Sequence, residues 1–138
     1  MLERFQQMTK DFEGLRLKPY KCSANKLTIG YGRNLEDVGI NTVEANYLFQ
    51  ADFSRVVQDA TRLCKDFGID HNKLLEQRFY VLVDMCFNMG YSRTKNFKKM
   101  LTAVSKGLYE DASKEMLDSA WAKQVGNRAI KLSLLMRG

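Results

Sequence analysis

The chain has 138 residues, 45% of them hydrophobic, with a single proline and a formal charge of +6. That composition suits one ordered, mostly helical domain, able to bury ~68% of the surface its unfolded form exposes, and leaves no length for a second enzyme. No segment reaches the ~18 apolar residues of a membrane span, no signal peptide is expected from MLERFQQMTK, and three cysteines without a CxxC pair disfavour structural zinc and suit free thiols made in a reducing cytoplasm.

Leu2, Phe5, Met8 and Phe12 recur at three- and four-residue spacing, which predicts a short amphipathic helix closed by Glu13, with Gly14 as its cap. The alternating LRLKPYKC that follows tolerates Pro19 only at a sheet edge. With the turn-prone Ser23-Ala24-Asn25-Lys26 and the run LTIGYG, it predicts a hairpin that carries Cys22 beside the turn and Thr28 on the returning strand. Each of these side chains also has an ordinary reading: a solvated Glu at a helix end, a small core Cys, a Thr in a strand. Gly30 and Gly32 flank Tyr31, which suits either a strand end with unusual torsions or a close approach of a ligand ring to the backbone.

After a polar connection from Asn34 to Gly39, Asn41-Thr-Val-Glu44 reads as a capping box. It opens a helix from about Thr42 to Phe67, ~38 Å long, that Gly68 ends. Asp52 on this helix is placed to pair with Arg33. From about Asn72 to Met89 the chain is apolar almost all round, the mark of a buried central helix, with Phe87 and Asn88 at its end before Gly90. Phe97–Lys106 and Leu108–Lys123 read as two shorter helices divided at Gly107, with Trp121 on the apolar side of the second. Asn127-Arg128-Ala129 opens a last helix. Cys64 and Cys86 fall on apolar faces, and only Cys22 stands in a polar setting.

The positive charge is uneven. Arg93, Lys95, Lys98, Lys99 and Lys106 form one acid-free run, and Lys123, Arg128, Lys131 and Arg137 another. An anionic partner or a solvated basic face fits equally, and charge alone does not choose among nucleic acid, lipid and bacterial wall.

Glutamate, eight residues, cysteine, five residues and threonine, set in EGLRLKPY and TIGYG, resembles the phage-type lysozymes of glycoside hydrolase family 24, which have Asp or Cys at the middle place. FNMG at Phe87 to Gly90 and WAKQVGNRA at Trp121 to Ala129 look like the family's other recurring segments, in the same order, so the likeness covers nearly the whole chain. Against the T-even phage lysozymes the chain is shorter between Gly32 and Ile40 and after Arg137.

The resemblance implies an α+β, mostly α, two-lobed lysozyme-like fold as one domain over 1–138. A hairpin lobe at about 14–40 would be joined by a helix at about 42–67, across a cleft, to a helical lobe at about 68–138, on which residues 1–13 pack. It implies that Glu13, Cys22 and Thr28 are catalytic. Gly30, Gly32, Phe87, Asn88 and Arg128 would bind substrate, with Arg128 facing the glutamate. The implied partner is bacterial peptidoglycan rather than nucleic acid, met by a monomer with no cofactor, no metal and no stable membrane insertion. Synthesis would be in the host cytoplasm, with action on the wall in the periplasm once a holin gives access.

Glycoside cleavage needs a proton for the departing oxygen and stabilisation of an oxocarbenium-like transition state. Glu13 is the candidate acid. In the inverting scheme a second carboxylate activates water, and here that place holds Cys22. A thiol of ordinary pKa, near ~8.5, is mostly neutral at pH 7, and a nearby Glu13 carboxylate is expected to raise it further, which makes Cys22 a weaker base than Asp. Three roles stay open: a thiolate stabilised by Arg or Lys, a nucleophile, or a passive group that leaves Thr28 to hold the water. The favoured one is the thiol as water partner with Thr28. Two other functions compete with hydrolysis: a lytic transglycosylase, in which one glutamate suffices, and a non-enzymatic basic wall- or membrane-binding module suggested by the acid-free runs and the final IKLSLLMRG.

Overall fold

A computed structural model describes all 138 residues. The first helix, α1 (Glu3–Glu13), stops where its apolar period stops: Gly14 takes a φ of 75° and its N–H closes on the Lys10 carbonyl at 2.8 Å. The helix therefore ends on the acid, as its sequence predicts.

β1 (Arg16–Lys21) and β2 (Leu27–Gly30) then pair antiparallel, Tyr20 opposite Thr28 and Lys21 opposite Leu27. β1 is an edge strand, and its register slips between Arg16 and Tyr20, the stretch that contains Pro19, which has no N–H to give a neighbour. A third strand, β3 (Arg33–Asn34), completes the sheet on the other side of β2. The connection expected from Asn34 therefore starts one residue later, since two residues are too few to show a period in the sequence.

Arg33 reaches from β3 to the first turn of α2 (Thr42–Asp66), donating from Nη1 to Glu44 Oε1 at 2.9 Å and to the Gly39 carbonyl at 3.0 Å. This corrects the expected Arg33–Asp52 pair, since Asp52 instead pairs with Arg55 on its own helix at 3.1 Å. Glu44 is the better partner because the capping box already holds it: the Glu44 N–H donates to Asn41 Oδ1, and the Asn41 N–H to Glu44 Oε1, each at 2.9 Å. Arg33 and that Asn41 N–H together hold the Glu44 carboxyl down at about 2.

The chain divides into two compact units, Met1–Leu48 and Phe49–Gly138, with the boundary inside α2. The first holds α1, the sheet and the start of α2. The second holds the rest of α2 and six further helices: α3 (Glu76–Met89), α4 (Tyr91–Lys95), α5 (Lys98–Ser105), α6 (Tyr109–Leu117), α7 (Ala120–Val125) and α8 (Asn127–Arg137). The architecture is α+β and mostly α, as the sequence reading has it.

All the buried hydrophobic side chains lie in the second unit, between Val56 and Met136, and Leu63, Leu82, Met85, Met100, Leu101 and Met116 at its centre are almost wholly covered. Full burial of each such side chain contributes about 1.5–3 kcal/mol. Cys64 and Cys86 are among them, and burial pushes both thiols up to about 11. The predicted helix over 108–123 is broken, because Ser119 accepts the Ala122 N–H at 3.1 Å and starts α7 afresh. α3 starts later than about Asn72, since His71–Lys73 form one tight 3₁₀ turn that Asp70 caps by accepting the Asn72 N–H at 3.1 Å. Arg78 on α3 secures the end of α8, donating to the carbonyls of Met136 at 2.8 Å and Arg137 at 2.9 Å. No helix is long and apolar enough to cross a membrane.

Candidate active site

In the first unit the hairpin turn is built around Cys22. Its N–H donates to the Lys26 carbonyl at 3.0 Å, and its own carbonyl accepts the Asn25 N–H at 2.8 Å. Asn25 takes the one left-handed torsion outside glycine, a φ of 60°, which Asn tolerates better than most residues. The turn leaves the thiol half-buried, with the backbone N–H groups of Lys26 and Ala24 near it. They pull it below the usual thiol range, Lys26 contributing most, with a smaller pull from the Thr28 hydroxyl. This overturns the expectation that Cys22 is raised: backbone donors of the turn, rather than an Arg or Lys side chain, favour the thiolate.

Thr28 is 3% exposed, and its hydroxyl donates to the Lys26 carbonyl at 2.8 Å. Through that bond Thr28 braces the turn that carries the thiol. Glu13 is exposed at the end of α1. Its carboxylate rests against Gly32, so closely that a Cβ at that glycine would stand 2.8 Å from Oε2. Gly30 and Gly32 both have positive φ, 72° and 84°, so the torsional reading of the pair holds at the β2–β3 connection. Gly32 has the added part of leaving space for Glu13, whereas a Cβ at Gly30 would meet nothing within 4 Å. The first unit thus joins Glu13 to Gly32 and Cys22 to Thr28.

The second unit gathers Phe87, Asn88 and Arg128 around α3. Phe87 is 41% exposed and stacks at a tilt on Phe49, ring centres 5.8 Å apart. Asn88 accepts the Trp121 indole N–H on its Oδ1 at 2.7 Å, which leaves its amide N–H groups to face outward. Arg128 grips Asp84 with two hydrogen bonds, Nε to Oδ2 at 2.8 Å and Nη2 to Oδ1 at 3.0 Å. The carboxylate that Arg128 holds within its unit is therefore Asp84, a residue the sequence reading passed over inside the apolar helix. A signal was there: Tyr80, Asp84 and Asn88 make a polar line at four-residue spacing along one face.

A groove of about 540 Å³ opens at Trp121, lined by Met89, Phe97 and Trp121 together with the bases Arg93, Lys98 and Lys99 and the acids Glu115 and Asp118. Phe97 meets the Trp121 ring edge-on, with 5.9 Å between centres. Lys95, from the same basic run, is otherwise engaged: its ammonium pairs with Asp66 at 3.2 Å and reaches the Tyr91 hydroxyl at 3.3 Å.

A family model described as Phage lysozyme matches residues 10–137. The endolysin of Acyrthosiphon pisum secondary endosymbiont phage 1 is 28% identical over 134 residues, which cover 94% of this chain and 86% of that protein. Probable T4-type lysozyme 1 of Dictyostelium discoideum is 26% identical, covering 94% of this chain and 91% of that protein. The pre-baseplate central spike protein Gp5 of Enterobacteria phage T4 is 28% identical across 94% of this chain, which spans only 27% of the spike protein's length. The family model takes in Glu13, Cys22, Thr28 and the whole α3 face described above, and the chain belongs to the phage lysozyme family.

Proposed function

We propose that this phage-lysozyme-family hydrolase cleaves the β-1,4 bond between N-acetylmuramic acid and N-acetylglucosamine in bacterial peptidoglycan. The observation that carries the reading is the hairpin itself, which sets a half-buried Cys22 in a turn braced by the buried Thr28, on the same small unit as an exposed Glu13. Glu13 gives its proton to the departing glycosidic oxygen, and Cys22 accepts a proton from the attacking water. Thr28 acts through Cys22. Phe87, Asn88 and Arg128 bind the glycan, the first by its ring face and the other two by N–H groups. The chain acts as a monomer in host lysis, made in the cytoplasm and reaching the wall in the periplasm with the help of a holin.

The test is Glu13→Gln, assayed on purified peptidoglycan. Binding and folding are expected to persist while turnover falls by ~10²–10⁴-fold, the usual cost of losing a general acid. Unchanged turnover would end the reading of Glu13 as the general acid, whereas wall binding without any turnover by the wild type would favour a basic binding module. Mass spectrometry of wild-type products separates the two enzyme classes: reducing muramic ends mark hydrolysis, and 1,6-anhydromuramic ends would mark a lytic transglycosylase.

A further inference from the structure

Along α3, Asp84 and Asn88 stand one helical turn apart on one face, their Cβ atoms roughly 5–6 Å from one another. Each is engaged by a side chain from another helix, Asp84 by Arg128 of α8 and Asn88 by Trp121 of α7. The engagement leaves both exposed partners with a single character. Asn88 turns its oxygen to the Trp121 indole, which directs its two amide N–H donors outward. Arg128 uses Nε and one terminal nitrogen on the carboxylate, and its remaining N–H edge has no acceptor role to play.

Exposure divides the ion pair unevenly. The Asp84 side chain is 16% exposed and the Arg128 side chain 40%, so the carboxylate is the covered anchor and the guanidinium the open tip. Tyr80, one turn back, adds a long contact from its hydroxyl to Asp84 Oδ1 at 3.4 Å. An arginine side chain has several freely rotating bonds, and a two-point fork is what removes that freedom.

We propose that Asp84 is a positioning residue for substrate binding: its fork fixes Arg128 so that the free guanidinium edge and the Asn88 amide form a paired donor surface for oxygen acceptors on the glycan strand. This rests on the reading that Arg128 and Asn88 meet peptidoglycan. Asp84 itself touches no substrate. Its effect is exerted through Arg128, by sparing the cost of ordering that side chain when the glycan arrives.

The experiment is steady-state kinetics on soluble peptidoglycan fragments for wild type, Asp84→Asn, Arg128→Ala and the double variant. Thermal unfolding and circular dichroism are measured alongside, and Asp84→Glu serves as the conservative change. Arg128→Ala should raise KM about tenfold, the loss of a charged hydrogen bond. Asp84→Asn should raise KM about threefold to tenfold with kcat changed by less than about twofold, and Asp84→Glu should recover part of that. In the Arg128→Ala background the Asp84 change should add nothing to KM. Glycan strands stripped of their stem peptides should show the same pattern, and an effect confined to intact fragments would overturn the assignment to the glycan. A KM increase that persists in full without Arg128, or a loss traceable wholly to unfolding, would overturn the positioning role. If Arg128→Ala leaves KM unchanged, the proposal falls with Arg128's place in binding, whereas the hydrolase reading stands or falls separately on Glu13→Gln.

Discussion

In the first unit the contacts that arrange the candidate chemistry join residues close in the chain. Thr28 donates to Lys26 two residues away, the Leu27 N–H to Glu36 nine away, and Arg33 to Glu44 eleven away. In the second unit the corresponding contacts span far greater lengths: Trp121 to Asn88 across 33 residues, Arg128 to Asp84 across 44. The two units also differ in what holds them. Thr28 is the one buried residue of Met1–Leu48, whereas the second unit contains every buried hydrophobic side chain. The catalytic candidates, with Gly30 and Gly32, thus sit where turns, caps and ladder bonds define the shape, and the side-chain binding candidates Phe87, Asn88 and Arg128 sit on a packed apolar scaffold. Small backbone changes should therefore damage the first set most, and side-chain charge changes should register on the second.

The largest effect on this view comes from one methyl group at Gly32. Alanine there would put Cβ 2.8 Å from Glu13 Oε2 and force a φ of 84° on a residue that disfavours it. The torsional strain costs about 1–2 kcal/mol, which the fold should survive. The displacement of Glu13 is the greater penalty, because an error of ~1 Å at a reacting group can cost 10²-fold. Gly32→Ala should lose roughly that much turnover with little change in KM, and Gly30→Ala, which has open space, far less. Equal losses at the two glycines would show that torsion alone matters and that the Glu13–Gly32 approach has no part in catalysis.

This contrast also marks what the sequence made legible. Gly14, the capping box at Asn41 and Glu44, and the turn at Ser23–Lys26 were readable because each is a local exchange between backbone groups and neighbouring side chains. The Arg33 partner was misjudged because Glu44 reads from the sequence only as a capping residue, whereas the same carboxylate also accepts from Arg33. Asp84 was missed for a different reason: a single acid in an apolar run says nothing about a partner 44 residues later. The direction of the Cys22 shift was missed because a count of charges ignores backbone N–H groups. Their placement depends on Asn25 being left-handed, which the residue type permits but does not dictate.

Cys22 gives an intermediate effect and a built-in comparison. Its thiol is drawn below the usual range by the turn, while burial holds Cys64 and Cys86 up at about 11. Since the thiolate is the nucleophile, iodoacetamide at neutral pH should label Cys22 first, with inactivation in step, and leave the other two untouched in the folded protein. For a base that must be deprotonated, activity rises as pH climbs through its pKa. The wild-type acid limb should therefore lie above that of Cys22→Asp, whose carboxylate ionises near ~3.9. Cys22→Ser should lose roughly tenfold if the group only polarises water, and far more if it attacks the sugar itself. A serine variant with full activity would remove Cys22 from the chemistry and leave Glu13 and Thr28 as the working pair.

The smallest expected effect belongs to the basic run of the second unit, and there the structure narrows which residues matter. Lys95 is paired with Asp66 and Tyr91, so its substitution tests the packing of α4 on α2 rather than attraction to the wall. Lys98 and Lys99 line the groove beside Trp121 instead. Exposed charges of this kind steer an anionic polymer and are screened over ~8–10 Å at physiological salt. Replacing Lys98 and Lys99 by Gln should weaken sedimentation with whole cell walls by a few-fold at low salt, and the difference should fade as salt is added. Turnover of short soluble oligosaccharides should stay within about twofold of wild type, because no developing charge of the reaction falls to these lysines on the roles given above. An equal loss on walls and on oligosaccharides, undiminished by salt, would instead make the groove part of the catalytic machinery and erase the division between a unit that reacts and a unit that binds.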